Sequence, residues 1–298
     1  MTDASPAVLD PRAVAALPGA EPDRGLTPTG LQATRVLARR RALVAALCAA
    51  ALAALGAGVW RVLAAGGWAA SDVVIFATFL VGAPWTVMGL WNALIGVWLL
   101  HRPGGAASAC PLLAEADDGA ALRGRVAVTM CLRNEDPERA LRRLVAIRES
   151  LDATGAGDRF DLFALSDSDD PEVAGAEAAL FERLRPRLGP GARYRRRAAN
   201  EGWKAGNLRD FLRRWGDGYA FFLPLDSDSL MSGETILRLA RTMERHPRLG
   251  VLQTLVVGAP SRSLFARVFQ FGMRHGMRSY TMGSVWWHGD ACAYWGHN

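Results

Sequence analysis

Hydrophobic and polar positions divide the chain into two textures. From Ala42 to Trp60 there are 19 residues without a charge, and from Val73 to Leu100 there are 28 more. Each run is long enough to span a bilayer as a helix, and both lie too far into the chain to be a cleavable signal peptide. A buried helical hairpin in a soluble domain is the competing reading, and it fits uncharged runs of this length poorly. From Arg123 onward apolar runs alternate with amphipathic ones. "RVAVTMCLRNED" reads as a strand, and Pro137 opens a helix through Leu151 with apolar positions at 141, 144, 145 and 147. "FDLFALSDSDD" repeats the design, with a helix from about Pro171 to Leu184. A short strand in "ARYRRRAANEG" precedes the helix "KAGNLRDFLRRW". Then come the strand "YAFFLPLDSDS", the helix "SGETILRLARTMERH" with Ser232 as N-cap, and a further strand in "LGVLQTLVV". Near-continuous apolar strands alternating with helices predict an α/β fold: a mostly parallel sheet with helices on both faces, preceded by two transmembrane helices.

Flanking charge orients the hairpin. Arg35, Arg39, Arg40 and Arg41 precede the first run, and His101 and Arg102 follow the second, whereas Arg61 adjoins the short connection. The excess of basic residues on one side puts both ends, and the α/β region, in the cytosol. Trp60, Trp68 and Trp98 fall near span ends, and Pro84 inside the second is expected to kink it. The predicted organisation is a disordered tail over 1–30, a transmembrane hairpin over 31–102, a Gly/Ala-rich linker over 103–122, an α/β domain over 123–258, and an interfacial region over 259–298. The aromatic and Met-rich stretch from Leu264 to Trp295 has two readings. It is an amphipathic element on the membrane surface, as arginines 262, 267, 274 and 278 favour, or it is core packing.

Composition sharpens this. A mean hydropathy of +0.08 suits a chain with membrane segments. The net charge of +6 is spread along the chain without an aromatic-interleaved basic motif, so anionic lipid headgroups, and not nucleic acid, are the expected partner. Cys48, Cys110, Cys131 and Cys292 show no pairing or metal spacing. Of 35 basic residues a single one is lysine, Lys204 in "NEGWKAGN". Its compact charge marks a place where a planar guanidinium would not serve, with chance survival as the alternative.

The polar clusters "RNED", "SDSDD" and "DSDS" all fall at carboxyl ends of predicted strands, where ligands of such sheets collect. Carboxylates converging there repel unless a cation sits among them. Asp226 and Asp228, with oxygen-only ligands and no His or Cys nearby, suit Mg²⁺ or Mn²⁺ carrying a diphosphate. A solvated turn with two acidic residues is the bland alternative for any lone DxD.

Several ordered motifs together resemble the processive membrane glycosyltransferases of family 2, and more closely the glucans biosynthesis glucosyltransferase H group. They are "NEDP" (134–137), "LSDSDDP" (165–171), "YRRR" and "NEGWKAGN" (194–207), "LDSDSLMSG" (225–233), "QT" (253, 254), "LFAR" (264–267) and "YWGHN" (294–298). The resemblance implies a GT-A domain in the bacterial inner membrane. It would transfer glucose from UDP-glucose, with inversion, to a β-1,2-linked glucan acceptor, with periplasmic glucan-processing proteins as further partners. By matching positions it implies nucleotide contacts from Asn134, Glu135, Asp167, Lys204, Gly206 and Asn207. Gln253 and Thr254 would lie near the donor sugar, and Asp226 and Asp228 on the metal. Close packing at Gly206 and backbone satisfaction by Gln253 are the structural alternatives. Two departures stand out: Trp203 occupies a usually basic position, and "MCLRNED" replaces a commoner Pro-Val-x-Asn-Glu start.

Inversion needs a general base on the acceptor hydroxyl. Asp290 in "WWHGDACAYW" is a candidate, beside a structural role among the aromatics. The resemblance implies a base beyond Asn298, so this chain is expected to bind donor without polymerising. Two other classes stay open. A haloacid-dehalogenase-type phosphohydrolase also puts DxD after a strand but wants its Lys downstream, and a membrane-anchored, non-catalytic nucleotide-sugar-binding module needs no base.

Overall fold

The structure, a computed structural model, describes residues 34–289 apart from 114, 116 and 118. It divides into two compact units: residues 117–254, and the stretches on either side of them, 34–116 and 255–289.

The flanking unit is helical. Helices α1 (Thr34–Ala64) and α2 (Ala70–His101) contain the two uncharged runs. Both are long and apolar enough to cross a membrane, and they bury little of themselves within the chain. α2 continues through Pro84. The turn between them gathers aromatics, with the Trp60 ring 4.5 Å from Trp68 and 5.5 Å from Phe76, while the Arg102 guanidinium lies 4.7 Å above the Trp98 ring. Part of the stretch read as a linker is helical, in α3 (Gly105–Ala109) and a following 3-10 turn (Pro111–Leu113).

The last described helix, Leu264–His288, docks on α2 backbone to backbone. A Cβ at Gly96 would stand 1.7 Å from the Ser279 carbonyl oxygen, and one at Gly283 would stand 1.9 Å from that of Asn92. Only hydrogen at those positions permits the crossing. Trp287 Nε1 donates to Asn92 Oδ1 at 2.8 Å. Arg40 donates to the Trp286 carbonyl at 2.9 Å and Arg41 to that of His288 at 2.9 Å, so two cations satisfy the carbonyls that end the helix. Packing therefore holds its C-terminal half. Leu264, Phe265, Val268 and Phe269 in the other half stay exposed.

The central unit is the predicted α/β sandwich. Strands β1 (Val126–Leu132), β2 (Phe160–Ser166), β3 (Arg193–Arg196) and β4 (Phe221–Asp226) are all parallel, in the order β3-β2-β1-β4. Odd and even side chains of the strands enter different cores. Val126, Val128, Met130, Leu162 and Leu225 join the larger one, and Ala127, Phe163 and Leu165 join a smaller one around Phe211. Burial on both faces is why these strands read as unbroken apolar runs.

The helices start where strand ends supply caps. Asp136 accepts from the Arg139 amide, and Pro137 then opens α4 (Pro137–Ala153). Asp170 accepts from Glu172 and Val173, and Pro171 opens α5 (Pro171–Leu188). Ser232 caps α7 (Gly233–Arg245) as expected, after α6 (Trp203–Trp215), and α8 is the docked helix Leu264–His288. The Asp-Pro pair removes an amide that would lack a partner and satisfies the next ones. One expected element is missing: residues 251–261 carry no regular secondary structure. "LGVLQTLVV" has strand composition, but a strand needs a ladder partner, and β4 accepts none on its outer edge among the described residues.

Candidate functional site

The strand register sets Leu132 beside Ser166 and Cys131 beside Asp226, so the three polar clusters do share one rim. A cavity of about 120 Å³ opens there, lined by Cys131, Leu132, Arg133, Glu135, Asp167, Lys204, Asn207, Asp226 and Ser227. Of the residues singled out in the sequence it gathers Glu135, Asp167, Lys204, Asn207 and Asp226. Asn134, Gly206, Asp228, Gln253 and Thr254 lie outside its wall. Asp290 falls outside the described residues.

Each carboxylate has a distinct setting. Asp167 is buried, and Arg197 clamps it through two bonds, Nε to Oδ1 at 2.7 Å and Nη2 to Oδ2 at 2.6 Å. That bond to Asp167 raises the Arg197 pKa further and fixes a bidentate pair whose charges largely cancel. Glu135 is exposed and accepts from the Arg133 amide at 3.3 Å. Asp226 is half-exposed and forms an ion pair with Lys204, the chain's one lysine. The Asp226 amide donates to Ser229 Oγ at 3.2 Å, and Arg143 donates to the Ser227 carbonyl at 2.9 Å, so the turn after β4 is held from both sides. Asp228, past that turn, is exposed and is not among the residues of the cavity wall. Cys131 is no nucleophile at neutral pH, since burial pushes its thiol up to about 11.

The residues outside the wall shape it. Asn134 has φ 53°, a conformation asparagine tolerates, and its side chain ties two strand ends together. Its Oδ1 accepts from the Asp169 and Asp170 amides at 3.1 Å each, and its Nδ2 donates to Asp169. That last bond holds the Asp169 carboxyl below the ordinary range. Gly206 serves packing: a Cβ there would stand 1.8 Å from the Glu201 carbonyl oxygen. Asn207 is buried and bridges elements, donating to the Leu165 carbonyl at 3.1 Å and accepting from Arg195 at 2.6 Å. Beneath the rim lies a network the sequence gives no sign of. The buried Glu177 carboxyl accepts from Ser166 at 2.5 Å, Ser168 at 2.6 Å and Tyr194 at 3.0 Å. Burial pushes the Tyr194 phenol up to about 12. Ser168 Oγ in turn accepts from the Asn134 amide at 2.9 Å.

Sequence reasoning passed over Arg133, Cys131, Ser227, Arg197 and Glu177. Arg133 and Arg197 sit inside quoted motifs, but nothing local distinguishes them from the many other arginines. For a divalent cation, the donor set is small. Among the described residues no three His, Cys, Asp or Glu side chains cluster as a metal cage. A hard cation that keeps waters and takes phosphate oxygens needs one or two carboxylates, which Asp226 and its neighbour Asp228 fit. A caged structural metal does not fit.

Comparison with known proteins gives a consistent result. Residues 127–298 match the family described as glycosyl transferase family 2. The glucans biosynthesis glucosyltransferase H of Rhodopseudomonas palustris (strain BisA53) is 36% identical over 298 residues, covering 99% of this chain and 40% of the relative. That of Caulobacter vibrioides (strain NA1000 / CB15N) is 41% identical over 217 residues, 71% of this chain and 32% of the relative. That of Xanthomonas euvesicatoria pv. vesicatoria (strain 85-10) is 45% identical over 179 residues, 59% and 28% of the two chains. The chain thus spans two fifths or less of the length of these relatives. Among solved structures, the mannosyltransferase PcManGT from Pyrobaculum calidifontis in complex with GDP-Man and Mn²⁺ is 18% identical with a TM-score of 0.34, over 51% of this chain and 44% of that one.

Proposed function

The chain belongs to glycosyl transferase family 2, and from that premise we propose that its α/β unit, of the GT-A class, binds UDP-glucose at the carboxyl rim of the sheet. There it serves transfer of glucose, with inversion, to a growing β-1,2-linked glucan. The observation that carries this reading is the meeting of Glu135, Asp167, Lys204, Asn207 and Asp226 around one cavity. The phosphohydrolase alternative has no support beside that family membership. The two long apolar helices support a place in a membrane, taken here as the bacterial inner membrane with the α/β unit on the cytosolic side.

The residues divide the work by their chemistry. Lys204 supplies a mobile ammonium with three donors for the diphosphate, and its exchange from Asp226 to phosphate oxygens costs little because both side chains are half-exposed. Asp226, with Asp228, would hold Mg²⁺ or Mn²⁺, which when bound offsets charge developing on the leaving diphosphate. The Arg197 clamp keeps Asp167 from moving toward the cation, so its free lone pairs are presented to the nucleoside in a fixed direction. Gln253 and Thr254 are proposed to lie toward the donor sugar.

Titration calorimetry of the chain in detergent with UDP, with and without Mn²⁺, tests the reading. Asp226→Asn should weaken Mn²⁺-dependent UDP binding by at least about tenfold, as loss of one charge-assisted bond implies. Asp228→Asn should act in the same direction. Binding that ignores both chelator and Asp226→Asn would remove the cavity from the nucleotide site.

A further inference from the structure

We propose that Arg133, held against the indole of Trp203, is the shelf on which the heterocyclic base of the bound nucleotide stacks. The proposal rests on the reading of the cavity as a nucleoside diphosphate site and goes on to say which side chains recognise the nucleoside end of that ligand.

Three observations converge on this pair. The Arg133 guanidinium lies 4.5 Å above the Trp203 ring, within cation–π range, and Arg133 also lines the cavity. Trp203 is 62% exposed, the most exposed tryptophan among the described residues of the α/β unit. Its backbone sits at φ 52°, directly after Gly202 at φ 66°. A bulky residue in the left-handed region is unfavourable and persists only where its surroundings hold it. Here they do: Arg197, already clamped on Asp167, donates to the Trp203 carbonyl at 3.0 Å, and the Trp203 amide donates to the Asn200 carbonyl at 3.1 Å. The fold thus turns a large apolar ring outward beside a polar cavity, where it covers no core.

What the ring does cover is one face of a guanidinium. Arg133 makes one weak ion pair, with Asp169 at 3.7 Å, and its side chain is 44% exposed. The guanidinium thus rests on the indole while Arg133 also lines the cavity, which leaves it within reach of a ligand there. Flat heteroaromatic rings stack on guanidinium planes, and an arginine already sandwiched against tryptophan gives up little side-chain freedom in doing so. Lys204 follows Trp203 in the chain and reaches Asp226 in the same cavity. A base on Arg133 with its phosphates toward Lys204 fills both ends of one ligand. A sugar has no π face and would gain less from this surface.

The test compares two ligands on the whole chain in detergent, by calorimetry with Mn²⁺ present: UDP and inorganic pyrophosphate. Arg133→Lys keeps the charge and removes the plane, and Trp203→Ala removes the backing. Each should weaken UDP about tenfold, the scale of one lost base stack, and leave pyrophosphate within about twofold. Trp203→Phe should restore most of the UDP affinity, and the Arg133→Lys, Trp203→Ala double variant should lose little more than either alone. Equal losses for UDP and pyrophosphate would reduce Arg133 to a charge and overturn the shelf. Unchanged UDP affinity in both variants overturns it too, while leaving the nucleotide site standing. A wild-type chain that binds neither ligand would remove the nucleotide reading and the shelf with it.

Discussion

Replacing Glu177 should loosen the rim from below. Its carboxyl is 1% exposed and accepts three hydroxyl hydrogen bonds, from Ser166, Ser168 and Tyr194. Glu177→Leu fills similar space but leaves three hydroxyls, those of Ser166 and Ser168 buried and that of Tyr194 half-buried, without their acceptor. Each unsatisfied group costs about 1–3 kcal/mol, and rotation of the two serines toward other acceptors recovers part, so roughly 3–5 kcal/mol is expected. Glu177→Gln keeps one acceptor oxygen and should cost about 1–2 kcal/mol. For a unit of this size roughly 4 kcal/mol lowers the melting midpoint on the order of 10 °C. The assay is thermal unfolding of the detergent-solubilised chain followed by near-ultraviolet circular dichroism, with UDP affinity measured well below the transition. Affinity should fall as well, because Ser168 holds the Asn134 amide and the Arg196 side chain holds the Ser168 carbonyl. A Glu177→Leu midpoint within about 2 °C of wild type would refute the reasoning, since three such bonds cannot be removed at so small a cost.

Two further outcomes follow from geometry. Lys204→Gln releases Asp226 from its ion pair, so Mn²⁺ affinity without nucleotide, read by electron paramagnetic resonance, should rise about threefold while UDP binding falls about tenfold; weaker Mn²⁺ binding would mean that Lys204 does not compete for that carboxylate. Gly283→Val forces a side chain into the Asn92 carbonyl, so trypsin should cleave after Arg274 and Arg278 faster than in wild type, whereas Gly276→Ala, which meets nothing within 4 Å, should not change the rate.

Much of the α/β unit is legible in the sequence because its physics is local. Strands buried on two faces need continuous apolar runs, and the helices after β1 and β2 begin at Asp-Pro pairs whose capping is written into adjacent residues. The convergence of "RNED", "SDSDD" and "DSDS" follows once the strands are parallel. What stays hidden depends on partners far along the chain. Arg197 reaches Asp167 across 30 residues, and Glu177 is one of many glutamates until its three hydroxyls are seen around it. Asp226 and Asp228 have the same parity, so alternation along a strand treats them alike. The chain turns after Asp226 and leaves only the first on the cavity wall. The run at 249–257 misleads for the same reason, since composition proposes a strand and only a neighbour completes one. The docking face of α2 is equally silent, because Gly96 is one small residue in a chain rich in them.

That docking face sets a timetable. About 160 residues separate His101 from Leu264, and the whole α/β unit lies between them. At about 5–20 residues per second the partners of Gly96 and Asn92, Ser279 and Trp287, are made roughly 9–37 s after α2 is complete. During that interval a polar side chain and a strip of bare backbone face whatever surrounds the hairpin. If that is lipid, Asn92 has no hydrogen-bonding partner there until Trp287 arrives. In that setting the nascent chain passes through an adhesive stage, in which the same groove is open to a neighbouring hairpin, and the time needed to make the α/β unit decides how long that competition lasts.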